Sequence, residues 1–94
     1  LEKTGCFALV LEKIPATLAA KVSKELTIPV IGIGAGGKVD GQVLVSHDML
    51  GMTYEFNPRF LRRYLNLFEQ MKAATEKYIK DVKTRDFPNT KEQY

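Results

Sequence analysis

The sequence has one cysteine, one histidine, no tryptophan and no long apolar run. A single thiol, Cys6, rules out an internal disulfide framework and fits a reducing compartment. At the head of a strand-like run it reads as a buried, inert side chain. No apolar stretch approaches the roughly 20 residues that a bilayer span needs. Leu1-Glu2-Lys3 does not look like a secretory leader. These absences point to a cytoplasmic protein with no membrane partner. Ninety-four residues leave room for one domain at most. Strong charge bias is missing too. Residues 1–57 carry five Lys or Arg against six Asp or Glu, and residues 58–94 carry nine against five. The basic excess is scattered around an amphipathic helix, which argues against a nucleic-acid partner.

Glycine, in contrast, is concentrated. Residues 28–41 read IPVIGIGAGGKVDG, and Gly32, Gly34, Gly36 and Gly37 are four of the chain's seven glycines. The β-branched run before them predicts a buried parallel strand over 29–34, with Pro29 harmless at its start. A parallel strand ending in glycines sets a close-approach surface at its carboxyl end, where α/β proteins bind ligands.

The apolar run CFALVLE predicts an earlier strand over 6–12, apolar on both faces and so part of a covered parallel sheet. Leu18, Ala19, Val22 and Leu26 fall at helical spacing, predicting a helix over 16–26 led by Pro15. Residues 6–33 thus form one right-handed βαβ unit. A third strand is expected at 42–46, with a helical turn as the alternative, because the link before it is shorter than a normal crossover. Residues 46–54 read as a loop or irregular turn. Asn57-Pro58 is a cap-and-first-turn signal for a long amphipathic helix over 58–84, or two helices with a kink near Ala73. Strands of this kind leave open edges and faces that need partners. With no initiating methionine, the expectation is a piece of a longer chain.

Glu12 is an acid at the carboxyl end of a buried strand, where α/β barrels carry catalytic side chains. Partial withdrawal from water would suit it for proton abstraction. The alternative is a loop glutamate, solvated or paired with Lys13. The GIGAGG run is no P-loop, because no Lys-Ser/Thr pair follows. It fits the dinucleotide-binding glycine pattern only in part. The alternative is tight packing at the strand end. Ser46, His47 and Asp48 are adjacent and cannot converge as a triad, and one His-Asp pair is not a metal site. Asp40 reads as a turn residue bonding its own backbone.

FALVLEKIP, then IPVIGIGAGGKVDGQVLVSHDMLG, then the late Phe-Pro, closely resemble the ketopantoate hydroxymethyltransferase family (3-methyl-2-oxobutanoate hydroxymethyltransferases). The likeness covers nearly all of this chain and about the last third of a full-length member. It implies the C-terminal portion of a (β/α)8 barrel of the phosphoenolpyruvate/pyruvate type. Residues 6–12, 29–34 and 42–46 would be its sixth, seventh and eighth strands, and the helix from Pro58 would close it. It implies a homo-oligomeric enzyme of pantothenate biosynthesis that uses magnesium and takes one carbon from 5,10-methylenetetrahydrofolate. Glu12 matches the family's proton acceptor, and Gly34 and Gly36 are candidate substrate-lining positions. The family's metal-binding acids and its substrate-binding serine and lysine have no counterpart here, so these residues alone are expected to be inactive. Two other readings stand beside this one. One is a non-catalytic fragment that self-associates through its open sheet, and the other is a small nucleotide-binding module.

Overall fold

The structure is a computed structural model and describes residues 1–94. Its centre is a parallel three-stranded sheet in the order β1 (Leu9–Glu12), β2 (Val30–Ile33), β3 (Gly41–Gln42). Helix α1 (Ala16–Glu25) crosses between β1 and β2. Leu9, Val10, Leu11 and Glu12 pair with Val30, Ile31, Gly32 and Ile33 in turn. Partners in register share a face, so Leu9, Leu11, Val30 and Gly32 point one way. Val10, Glu12, Ile31 and Ile33 point the other. The first face is covered: Val30 and Gly32 are buried, as are Ala19 of α1 and Ala35 of the following loop. The second face is bare, with Val10 60% exposed.

β1 is shorter than the expected 6–12. Glu2–Thr4 form a 3-10 turn, and Cys6 to Ala8 lie outside the ladder. The ladder begins where the Leu9 amide donates to the Pro29 carbonyl (2.9 Å), next to the start of β2. Upstream, the Glu2 carboxylate draws the chain aside by accepting from the Thr27 amide (2.7 Å), the Thr27 hydroxyl (2.5 Å) and the Ile28 amide (3.1 Å). Those bonds, led by the Thr27 hydroxyl, hold the Glu2 carboxyl below its ordinary range. Cys6 is a free thiol, only half-buried because the segment carrying it is off the sheet.

No helix joins β2 to β3. Residues 34–40 return the chain directly, over the covered face. The return spans about three residues of strand rise, or roughly 10 Å, well within the reach of seven extended residues. Asp40 fastens the end of this loop across the sheet, not to its own turn as expected. Its amide donates to the Val30 carbonyl (3.0 Å), and its Oδ2 accepts from the Val30 amide (2.8 Å) and the Ser23 hydroxyl (3.1 Å). Gln42 Nε2 donates to the Gly36 carbonyl (2.8 Å). A side chain at Gly32 would press on Val39 of the loop at 3.0 Å, so this glycine lets the loop lie flat on the strand.

β3 stops at Gln42 and does not run from 42 to 46. β2 ends at Ile33, so only the Val43 amide still finds a strand carbonyl, that of Gly32 (3.0 Å). The expected loop after it contains a short helix, α2 (Ser46–Met49). The long helix α3 spans Leu67–Lys83, without a kink and nine residues later than Asn57-Pro58 predicted. Tertiary bonds override that local start signal. Arg63 Nη2 donates to the carbonyls of Thr53 (3.0 Å), Tyr54 (3.1 Å) and Phe56 (2.8 Å). The amides of Tyr64, Leu67 and Phe68 donate to Met49, Leu50 and Gly51. The chain through 62–66 is therefore held out of helix, and α3 starts only where those bonds release it.

α3 stands away from the sheet, with almost every residue exposed. The molecule extends 66 × 29 × 16 Å, with a radius of gyration of 21.9 Å against about 12 Å for a compact chain of this length. It exposes 7887 Å², where a compact monomer of this mass exposes roughly 5,500 Å². No helix is long and apolar enough to cross a membrane.

Candidate active site

Glu12 ends β1 on the bare face, opposite the one that α1 and the loop cover. Its in-register neighbour is Ile33, the last residue of β2. The side chain is exposed, not partly withdrawn as expected, because nothing in this chain covers that face. Lys13 follows with φ 51° and still donates its amide to the Ile33 carbonyl (2.9 Å). A lysine in the left-handed region costs about 1 kcal/mol. That turn takes the chain off the sheet directly after the acid and toward α1. No salt bridge joins Glu12 to Lys13, which removes the paired-loop alternative.

Gly34 and Gly36 are both left-handed, at φ 63° and 79°. Each also faces a neighbour that excludes a side chain. A Cβ on Gly34 would lie 2.9 Å from the Phe60 ring, and one on Gly36 would collide with Ala16 at the start of α1. Gly34 therefore belongs to the carboxyl rim beside Ile33, while Gly36 is turned toward the helix. No helix opens after the glycine run, so the dinucleotide-binding pattern lacks its second half. Ser46, His47 and Asp48 are successive residues of α2 and do not converge.

A cavity of about 360 Å³ lies at the same rim, lined by Ile33, Gly34, Val43, Phe60, Arg62 and Tyr64 among others. Sequence spacing does not mark Phe60, Arg62 or the left-handed Lys13 as lying at this rim. The only signal for the first two is the crowding of arginine and aromatic side chains in residues 52–66.

A family model described as ketopantoate hydroxymethyltransferase matches residues 1–90. The chain belongs to the ketopantoate hydroxymethyltransferase family. It is 72% identical over 94 residues to a 3-methyl-2-oxobutanoate hydroxymethyltransferase of Parabacteroides distasonis, covering all of this chain and 34% of that protein. Proteins of the same name from Flavobacterium johnsoniae and Porphyromonas gingivalis are 70% and 69% identical over the whole chain, which covers 35% and 34% of each. The chain thus spans about one third of the length of the curated relatives it matches.

Proposed function

We propose that the chain is the C-terminal arc of a (β/α)8-barrel hydroxymethyltransferase, and that Glu12 is its general base. The observation that carries this is the placing of Glu12 at a strand's carboxyl end, on the face turned away from α1. In a barrel the helices lie outside, so the face opposite α1 becomes the interior. Glu12 then removes the proton from the carbon beside the ketone of 3-methyl-2-oxobutanoate. The resulting enolate carbon attacks the methylene of 5,10-methylenetetrahydrofolate. One of its two carbon–nitrogen bonds is replaced by the new carbon–carbon bond and the other by a bond to a water oxygen, the two nitrogens take up the proton from Glu12 and one from that water, and 2-dehydropantoate and tetrahydrofolate leave. Ile33 and Gly34 flank the acid and shape the apolar side of the substrate's berth.

Magnesium, which the resemblance implies, would supply Lewis-acid stabilisation of negative charge on the keto acid's oxygens. The residues present do not fit such a site. No three His, Cys, Asp or Glu side chains gather anywhere in the chain. Its ligands would come from the remainder of the enzyme, and these residues alone would be inactive. The full-length enzyme would be a cytoplasmic homo-oligomer. In that enzyme Glu12→Gln should lower kcat by about 10²-fold or more while the keto acid still binds with near-native affinity. A kcat within a few-fold of the parent would remove Glu12 from the chemistry.

One observation favours a second reading for the isolated chain, self-association. It exposes about 2,400 Å² more than a compact monomer would. Sedimentation as a well-behaved monomer would exclude it.

A further inference from the structure

Only three residues, Lys13, Ile14 and Pro15, join the end of β1 to the start of α1. Two of them have little freedom. The ring of Pro15 fixes its φ, which stands at −55°. Ile14 precedes a proline and is confined to extended backbone. Lys13 is left to make the turn, and it does so in the left-handed region at φ 51°. Its side chain is exposed and pairs with no acid, so the fold uses this residue through its backbone. The two ends of the link are held unequally. On the helix side, Ala16 packs so closely on Gly36 that a side chain at 36 would collide with it, and Ala19 in the same turn is fully buried. On the strand side, the Lys13 amide donates to the Ile33 carbonyl (2.9 Å), but the Glu12 side chain is exposed and forms no salt bridge. Any change in the turn is therefore passed to Glu12 and not to α1.

We propose that Lys13 is a positioning residue for proton abstraction: its left-handed turn, imposed by the three-residue link, sets the direction in which Glu12 presents its carboxylate. This rests on the reading of Glu12 as the base. Leu11 pairs with Gly32 before the acid, and the Lys13 amide carries the ladder one residue past it. Glu12 is thereby held in extended backbone between two fixed neighbours, although nothing touches its carboxylate. A general base works only within hydrogen-bond reach of its proton. A misplacement of about 1 Å costs on the order of 10²-fold in rate. Strained backbone of this kind persists where the surrounding structure imposes it, and it gathers at sites where geometry matters.

The test uses the full-length enzyme with Lys13→Gly, Lys13→Asn and Lys13→Val. Each is scored by kcat, by KM for the keto acid and by the rate at which the substrate proton exchanges with heavy water. Glycine and asparagine enter the left-handed region readily and should stay within about threefold of the parent. Valine does not, and should slow kcat and exchange alike by at least about tenfold with KM unmoved. One glycine inserted between Lys13 and Ile14 lengthens the link without asking any residue for strained backbone. It should slow exchange by a similar factor, and it carries the test if Lys13→Val does not fold. Parent rates in a folded Lys13→Val, or in the insertion, would overturn the assignment. So would losses in Lys13→Gly and Lys13→Asn equal to that in Lys13→Val, since the ammonium would then be the working group. A raised KM with kcat unchanged would overturn it as well. Glu12→Gln, run alongside, separates the two claims. Parent-rate exchange there removes the base and leaves Lys13 nothing to position, whereas loss there beside an unaffected Lys13→Val removes Lys13 alone.

Discussion

The two halves of the chain fold by different means. All five buried residues, Ala19, Val30, Gly32, Ala35 and Gly51, lie in the first 51 positions. There a parallel ladder, a crossover helix and the Asp40 clamp satisfy one another. From Met52 onward no residue is buried, and α3 projects with Met71, Tyr78, Ile79 and Val82 exposed along it. Its one aromatic tie to the preceding loop is Tyr54 on Phe68, with ring centroids 4.9 Å apart. The first half carries its own reasons for being ordered, whereas the second has an apolar stripe that only a further surface can use.

Substitutions can sharpen or break this contrast. The largest effect is expected from Asp40→Ala. It leaves the Val30 amide without its acceptor inside the sheet and should lower stability by about 1–3 kcal/mol, read from the urea midpoint. An unchanged midpoint would mean that the loop does not depend on the clamp. Lys13→Gly should act in the opposite direction. Relief of the left-handed backbone should stabilise by up to about 1 kcal/mol, offset by the greater freedom of glycine in the unfolded chain.

Acid comes next. The Glu2 carboxyl is held below its ordinary range, so the unfolded chain takes up a proton at higher pH than the folded one. Its contribution is present above the ordinary carboxylate range and is lost as pH falls through and below that range. Glu2→Gln should therefore lower stability slightly in the neutral region and flatten the acid limb of a stability–pH profile, the two proteins converging in acid. The smallest effect belongs to Tyr78→Ser on α3. Its only aromatic partner is Phe87, at 5.7 Å, so the loss in this chain should stay under about 1 kcal/mol. A much larger loss for the same change in the full-length enzyme would show that α3 is covered there.

Legibility in the sequence follows the same division. β1, α1 and β2 could be read because apolar runs and helical spacing are local signals and the structure obeys them. The place of Glu12 at the end of β1 could be read because it ends such a run. The start of α3 could not be read, because Asn57-Pro58 is a valid local cap that lost to Arg63 and to amides bonded to α2 and its following turn. The length of β3 could not be read either, since a strand extends only as far as its neighbour. Lys13 has an ordinary side chain, and nothing local marks its backbone as left-handed. The glycines could be read as a cluster, but their separate purposes, Val39 on Gly32, Phe60 on Gly34 and Ala16 on Gly36, come from residues distant in the chain.

The most direct measurement is exchange of the substrate's own proton. The full-length enzyme is incubated with 3-methyl-2-oxobutanoate in heavy water, without the one-carbon carrier, and deuterium uptake at the carbon beside the ketone is followed by NMR. The parent should exchange it, and Glu12→Gln should do so at least about 10²-fold more slowly with the keto acid still bound. Equal rates in the two proteins would mean that some other group takes the proton and that the bare face of this sheet is not where the reaction begins.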